Sequence, residues 1–183
     1  NVGADIGKLF GEAIAKKVDT DLVGLFSSFT TNTAGAAGTE LTADLLFKAQ
    51  AQLRTLSVPA PYYAVFHPKA LFNLKKTLTQ AGYGTSAYAI SEIGNEALRN
   101  GYIGRIAGID VFENANLSID ASDDSVGGVF HPASIGLAMK EDFKVETQRD
   151  ASLRATEIVA SIVYGKAVVK ESFGVAVTTD AAF

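Results

Sequence analysis

His67 and His131 are the only imidazoles in the chain, and each stands immediately before a proline. A pair of imidazoles could share acid–base work or ligate a metal. Against that reading, no His-x-x-x-His or His-Glu spacing of the kind a zinc site uses accompanies either one. Both fall where a strand gives way to a helix, and they read as turn residues whose rings satisfy nearby backbone groups. Gly82-Tyr83-Gly84-Thr85-Ser86-Ala87 has the glycine spacing of a dinucleotide loop, but a helix precedes it where a strand is required. Gly7-Lys8 and Gly165-Lys166 lack both the upstream glycine and the following hydroxyl of a phosphate loop. Asp120, Asp123 and Asp124 could attract calcium, yet they lack the ligand spacing and terminal glutamate of a calcium loop and read as a solvated acidic turn. Asp19 and Asp21 fall about 200° apart on a helix, so they do not pair as acid and base, and they read as surface charges. The chain has no cysteine and no Gly-x-Ser-x-Gly elbow. No metal and no cofactor are expected, and the balance moves from enzyme toward a structural or binding protein.

The elements that position these residues follow from periodicity. Ile6, Leu9, Phe10, Ile14, Val18, Leu22 and Leu25 recur at spacings of three and four, which predicts one long amphipathic helix over Gly3 to Phe26, with Glu12 four residues before Lys16. Ser27 to Gly38 is small and polar and reads as a linker or surface loop. A second helix is predicted with Thr42 as N-cap and Leu45, Leu46, Ala49, Leu53 and Leu56 inward, stopping before Pro59 and Pro61, which mark a domain boundary. Tyr62 to Phe66 is strand-like, and Pro68 opens a helix carrying Leu71, Leu74 and Leu78. A Gly/Ser/Tyr loop, Ala81 to Tyr88, precedes a short helix over Ser91 to Asn100. Ile106 to Phe112 is predicted as a strand and Asn114 to Gly128 as an acidic loop. Val129-Phe130-His131-Pro132 then repeats Val65-Phe66-His67-Pro68, which predicts the same strand-to-helix turn and a helix over Ala133 to Met139. From Phe143 onward β-branched and aromatic residues predict long paired strands.

Composition agrees with a folded chain that needs no staple. The 183 residues are 48% hydrophobic and 20% charged, enough for one domain or two small interleaved ones. A net charge of −4 disfavours a general DNA binder or an anionic-membrane binder. No stretch reaches the roughly 18 apolar residues of a membrane span, so no membrane is expected as a partner. The chain begins with Asn-Val-Gly, with no basic segment leading into an apolar one, and no signal peptide is read there.

Taken in order, these segments resemble the tailed-bacteriophage major capsid protein family, whose fold is shared by encapsulins and the herpesvirus capsid floor. The resemblance covers nearly the whole chain. Gly3 to Phe26 resembles the spine helix, and Leu45 to Leu56 the helix that follows it. Tyr63-Ala64-Val65-Phe66-His67-Pro68, with Leu71, Leu74 and Lys75, is similar to the strand, turn and helix that open the axial domain. Gly104 to Val111 and Gly127 to Ala138 resemble its next strands, and Phe143 to Asp150 and Thr156 to Val177 the terminal strands. The resemblance implies an α+β fold with a spine helix, a peripheral domain over residues 1–58, an inserted axial domain over 59–142, and strands over 143–183 returning to the peripheral domain. Members place an N-terminal arm and an extended hairpin loop before the spine helix, whereas this chain begins at that helix; those parts are cleaved, missing from the numbered sequence or absent, and a Lys–Asn crosslink is not carried over.

The implied function is that of a non-enzymatic coat protein. It would self-assemble through hexamers and pentamers into an icosahedral head enclosing phage DNA without binding it specifically, built in the host cytoplasm and residing in the virion. Portal, scaffold or decoration proteins are the other implied partners. An encapsulin-type shell, and from another class a small α+β ligand-binding or enzyme domain using His67 and His131, remain as alternatives. Neighbouring copies are expected to meet along the exposed helix and the polar loops, with Lys8, Glu12, Lys16, Tyr83, Tyr88 and Tyr102 as candidate interface residues and Tyr62 and Tyr63 as further aromatic candidates.

Overall fold

The computed structural model describes residues 2–79 and 104–182. The predicted loop Ala81 to Tyr88, the helix Ser91 to Asn100, the Gly82 to Ala87 glycine pattern, and Tyr83, Tyr88 and Tyr102 lie outside the described residues. The long amphipathic stretch folds as helix α1, Val2–Val23, and then tightens into a 3-10 turn at Gly24–Ser28. Strand β1, Thr33–Gly35, and helix α2, Ala43–Thr55, follow. Next come β2, Tyr62–Phe66, and α3, Pro68–Thr79. After the gap run β3 (Arg105–Ile106), β4 (Ile109–Glu113), β5 (Asp124–Phe130), β6 (Ile135–Asp150), β7 (Ala155–Val168) and β8 (Gly174–Asp180).

Six strands make one mixed sheet in the order β1-β8-β5-β2-β4-β3, and β6 pairs with β7 as a separate two-stranded hairpin. One face of the large sheet buries Tyr62, Ala64, Phe66, Val129, Val175 and Val177 beneath Leu46, Ala49 and Leu53 of α2 and Leu71 and Leu74 of α3. The other face is covered by a smaller cluster in which Val23, Phe26, Phe29 and Leu117 pack on Ala176, Val65, Val126 and Phe130. The result is three layers, with α2 and α3 on one side and the foot of α1 on the other, each burying its apolar stripe against the sheet.

Several expectations change here. The small polar stretch Ser27 to Gly38 is not a loose linker: it supplies β1, which runs parallel to β8 with Ala34 buried. Its approach is fastened by Glu171, whose carboxylate accepts hydrogen bonds from the backbone and hydroxyl groups of Thr30 and Thr31. Thr42 occupies the α2 N-cap with extended backbone but makes no side-chain cap bond, and Leu56 is 44% exposed rather than inward. The single strand expected over Ile106 to Phe112 is a hairpin, because Ala107 and Gly108 both take positive φ (53° and 71°), the requirement of a tight two-residue turn. The acidic loop ends at Asp123, since Asp124 to Gly128 belong to β5.

The helix expected over Ala133 to Met139 is absent. Pro132–Ser134 form one 3-10 turn, and β6 begins at Ile135. Ser134 is buried, and its carbonyl accepts from the amides of Val169 and Lys170, which ties the root of the hairpin shut. From there the apolar residues Ile135, Leu137 and Met139 alternate with Gly136 and Ala138, a period of two that suits a strand. The boundary expected between residues 142 and 143 falls inside β6, and β8 returns to the six-stranded sheet between β1 and β5.

Candidate functional site

Two regions carry the polar chemistry: the foot of α1, and the long hairpin that springs from beside it. Asp19 and Asp21, both expected to be solvated, organise that foot. Asp21 accepts from the Tyr164 hydroxyl at 2.6 Å and from Lys17 Nζ at 2.9 Å, and it pairs with Lys166 Nζ at 3.1 Å. Lys166 also donates to the Asp21 carbonyl at 2.7 Å. These donors hold the Asp21 carboxyl well below the usual carboxylate range, with the Tyr164 bond the largest cause, and the same carboxylate raises the Tyr164 hydroxyl. Asp19 accepts from Asn114 Nδ2 at 2.7 Å and Asn116 Nδ2 at 2.6 Å, so the segment after β4 is pinned to the same turn of helix. The helix is therefore bolted to the hairpin and to the sheet at one end.

The hairpin is long and open. Its register runs from Ile135 opposite Val168 to Asp150 opposite Ala155. Ile158, Ala160, Ile162 and Tyr164 of β7 are half-buried while Val159, Ser161 and Val163 are exposed, so one face turns toward α1 and the other toward solvent. Register shifts between Met139 and Glu141 and between Glu141 and Lys144 each insert an extra residue into β6, bending the strand that bears them. Leu137, Met139, Phe143 and Val145 of β6 are each between 43% and 47% exposed. At the far end Asp150 Oδ1 accepts from the amides of Ser152 and Leu153, fixing the tip, where Leu153 is 76% exposed. An open two-stranded ribbon of this length is marginal by itself and gains from contact with further chain.

The two histidines are not brought together. His67 follows one end of β2, whereas Phe130, just before His131, pairs with Tyr63 near the other end. Each ring closes its own turn: His67 Nδ1 accepts from the Lys69 amide at 3.2 Å, and His131 Nδ1 from the Ala133 amide at 3.1 Å. Burial and the nearby Lys69 charge both lower the His67 pKa. Among the described residues no group of three or more His, Cys, Asp or Glu could hold a metal ion. Asp120 and Asp124 are spent on the fold, Asp120 accepting from the amides of Ser122 and Asp124, and Asp124 from the Gly38 amide.

Of the candidate interface residues, Lys8 and Glu12 lie on the exposed side of α1 and pair with each other at 3.7 Å. Lys16 is exposed one turn further on; the pair expected between it and Glu12 is replaced by that with Lys8. Tyr62 is core, with its hydroxyl donating to the Val58 carbonyl at 2.6 Å. Tyr63 is half-buried against Phe112. Sequence reading took Asp19 and Asp21 for surface charges, considered Lys166 only for a phosphate loop, and missed the roles of Asn114, Asn116, Tyr164 and Glu171. The spacing of Lys17 and Asp21 was a local signal, whereas the partners after β4 and on β7 are distant in the chain.

A family model described as phage capsid protein matches residues 2–178. The chain belongs to that family. Its fold is that of tailed-phage major capsid proteins, a structural rather than an enzymatic class. It is similar to a structure from Mycobacterium phage Che8 at 27% identity and a TM-score of 0.72, over 91% of this chain and 60% of that one. It is similar to the head structure of Helicobacter pylori bacteriophage KHP40 at 13% identity and a TM-score of 0.73, over 99% of this chain and 69% of that one. The holo-SrpI encapsulin complex from Synechococcus elongatus matches at 12% identity and a TM-score of 0.71, over 96% of this chain and 65% of that one. The chain thus spans about 60% of the length of the Che8 chain. No curated protein matches.

Proposed function

We propose that this chain is the shell-forming body of the major capsid protein of a tailed double-stranded DNA phage, assembling through hexamers and pentamers into an icosahedral head that encloses the genome. The observation that carries the reading is the family match over residues 2–178. The architecture supports it: a rigid layered body bears a helix and a hairpin of β6 and β7 that are bolted at one end and open along their length, as a subunit joined to several neighbours requires. Within this reading α1 is the spine helix, and the peripheral and axial parts meet near residues 58–59, where α2 gives way to β2. Lys8, Glu12, Lys16, Tyr83, Tyr88 and Tyr102 are proposed contact residues, and the protein has no catalytic activity, cofactor or metal. Portal, scaffold or decoration proteins complete its partners, with assembly in the host cytoplasm and residence in the virion.

The test is negative-stain electron microscopy of the protein purified from its source. Uniform hollow or DNA-filled shells tens of nanometres across are the expected result. Small monodisperse particles under every assembly condition, with no shells in host extracts, would overturn the reading. The similarity to the SrpI complex favours an encapsulin-type shell as the second reading. Its contents decide between the two: nucleic acid supports the phage head, and co-purifying cargo protein in its place supports the encapsulin.

A further inference from the structure

We propose that the His131-Pro132 turn is a proton-sensitive hinge: with a neutral imidazole it holds the β6–β7 hairpin to the large sheet, and a proton on His131 Nδ1 releases that hold. The inference concerns the chain itself and does not rest on its reading as a shell subunit.

Both strands of the hairpin leave the body at one place. Phe130 ends β5, the 3-10 turn Pro132–Ser134 follows, and β6 begins at Ile135. On the return, β7 ends at Val168, and a second 3-10 turn, Glu171–Phe173, leads into β8. The two turns are laced together. The His131 amide donates to the Phe173 carbonyl at 2.9 Å, and the amides of Val169 and Lys170 donate to the Ser134 carbonyl at 2.7 and 3.2 Å. Ser134 is buried and is itself placed by the turn, since its amide donates to the His131 carbonyl at 2.9 Å. The hairpin is a separate two-stranded sheet, so this root fixes its direction together with the Tyr164 and Lys166 contacts to Asp21.

The His131 ring is a working part of that turn. Its Nδ1 accepts from the Ala133 amide at 3.1 Å, and a ring nitrogen accepts only while it carries no proton, which places the proton of the neutral ring on Nε2. Protonation fills Nδ1, turns the acceptor into a donor and sets it against the Ala133 N–H. The ring also stands edge-on to Phe173 with centroids 5.6 Å apart, and Lys170 Nζ already lies 4.7 Å from the centre of the Phe173 ring. A protonated His131 therefore brings a second cation to a ring that holds one. Among the described residues, the carboxylates beside the turn are engaged elsewhere: Glu171 by Thr30 and Thr31, and Asp19, which lines the same groove as Pro132, by Asn114 and Asn116. The closed turn keeps its bond above the imidazole range and loses it as the pH falls through that range.

His67 supplies the contrast. Its Nδ1 makes the same bond, to the Lys69 amide at 3.2 Å, but that turn opens α3, which Leu71 and Leu74 anchor in the main core. A proton on His67 removes one bond from a helix that stays seated, whereas a proton on His131 loosens the turn from which β6 departs.

Amide hydrogen exchange of the whole chain tests the hinge, with the protein in one assembly state at about pH 7.5 and about pH 5.5, on either side of the ordinary imidazole value of about 6.5. Rates are corrected for the intrinsic pH dependence of exchange. Protection of the Val169 and Lys170 amides is expected to fall roughly two- to tenfold on acidification, the worth of one hydrogen bond. His131→Asn should keep the protection at the higher pH and abolish the fall, because an asparagine oxygen accepts from the amide two residues on and does not titrate. His67→Asn should leave the fall in place. No fall in the unmodified chain, an equal fall in His131→Asn, or a fall abolished by His67→Asn would overturn the hinge. If His131→Asn does not fold, the ring-nitrogen NMR shifts of His131 in the unmodified protein decide: a proton on Nε2 alone at about pH 7.5 supports the hinge, and a proton on Nδ1 at that pH overturns it.

Discussion

A single carboxylate oxygen of Glu171 accepts four hydrogen bonds, from the amides and hydroxyls of Thr30 and Thr31, all between 2.7 and 2.9 Å. Those donors favour the charged form and bring the Glu171 pKa from 4.5 down to about 2, the Thr30 hydroxyl contributing most. A depressed carboxylate stabilises the fold above its unfolded pKa, and that contribution is lost as pH falls toward the folded value. Glu171→Gln should therefore have a lower urea midpoint than the unmodified protein at neutral pH, and the gap should close between pH 4.5 and about 2. Equal midpoints at neutral pH would refute the clasp. Asp21 makes a parallel case at the foot of α1. Asp21→Asn should accelerate amide hydrogen exchange in α1 while leaving β2, β5 and β8 protected, because the helix loses its bolt to Tyr164 and Lys166 and the sheet does not. Neither residue was legible as a clasp in the sequence. The partners that make them clasps lie 140 or more positions away, and no local pattern encodes a contact at that distance.

At the scale of elements, apolar periodicity was the dependable signal, and small residues were where it failed. The stripe of α2 reads directly, and Leu46, Ala49 and Leu53 are all buried in the main core. Leu46→Ala should cost about 2–5 kcal/mol by chemical denaturation, whereas Leu56→Ala, at a position 44% exposed, should cost less than about 1 kcal/mol. Gly127 and Gly128 read as loop because glycine punctuates chains, yet they are the centre of β5. A Cβ on Gly127 would lie 2.3 Å from the Phe66 ring, and one on Gly128 would lie 2.6 Å from Phe26, so their bare backbone makes room for one ring on each face of the sheet. Gly128→Ala should destabilise by about 1–3 kcal/mol through overpacking. Gly165→Ala, with nothing within 4 Å of the added carbon, should change stability by no more than about 0.5 kcal/mol. The repeated Val-Phe-His-Pro turn misled for a related reason. The four residues encode the turn, which both copies make, but the element beyond each turn is set by its own residues: helical spacing after Pro68 and strand alternation after Pro132.

At the scale of the whole molecule, order along the chain identified the family where no single motif did, and it did so because each strand, turn and helix cue held its place relative to the others. The exposed faces were less legible, since exposure depends on which elements stand apart from the core. Net charge belongs to this scale as well. At −4, the purified chain should fail to retard a DNA fragment at roughly 0.15 M salt. Retardation that persisted at that salt would contradict this. One topological fact also bears on how such a protein is made. Among the described residues strand β8 comes last in sequence, yet it sits inside the large sheet between β1 and β5, paired with β5 at seven successive positions. The sheet is therefore completed only when β8 enters between β1 and β5, bringing Val175 and Val177 into the core. A chain that stops before β8 lacks the strand that joins β1 to β5, and with it the completed six-stranded sheet.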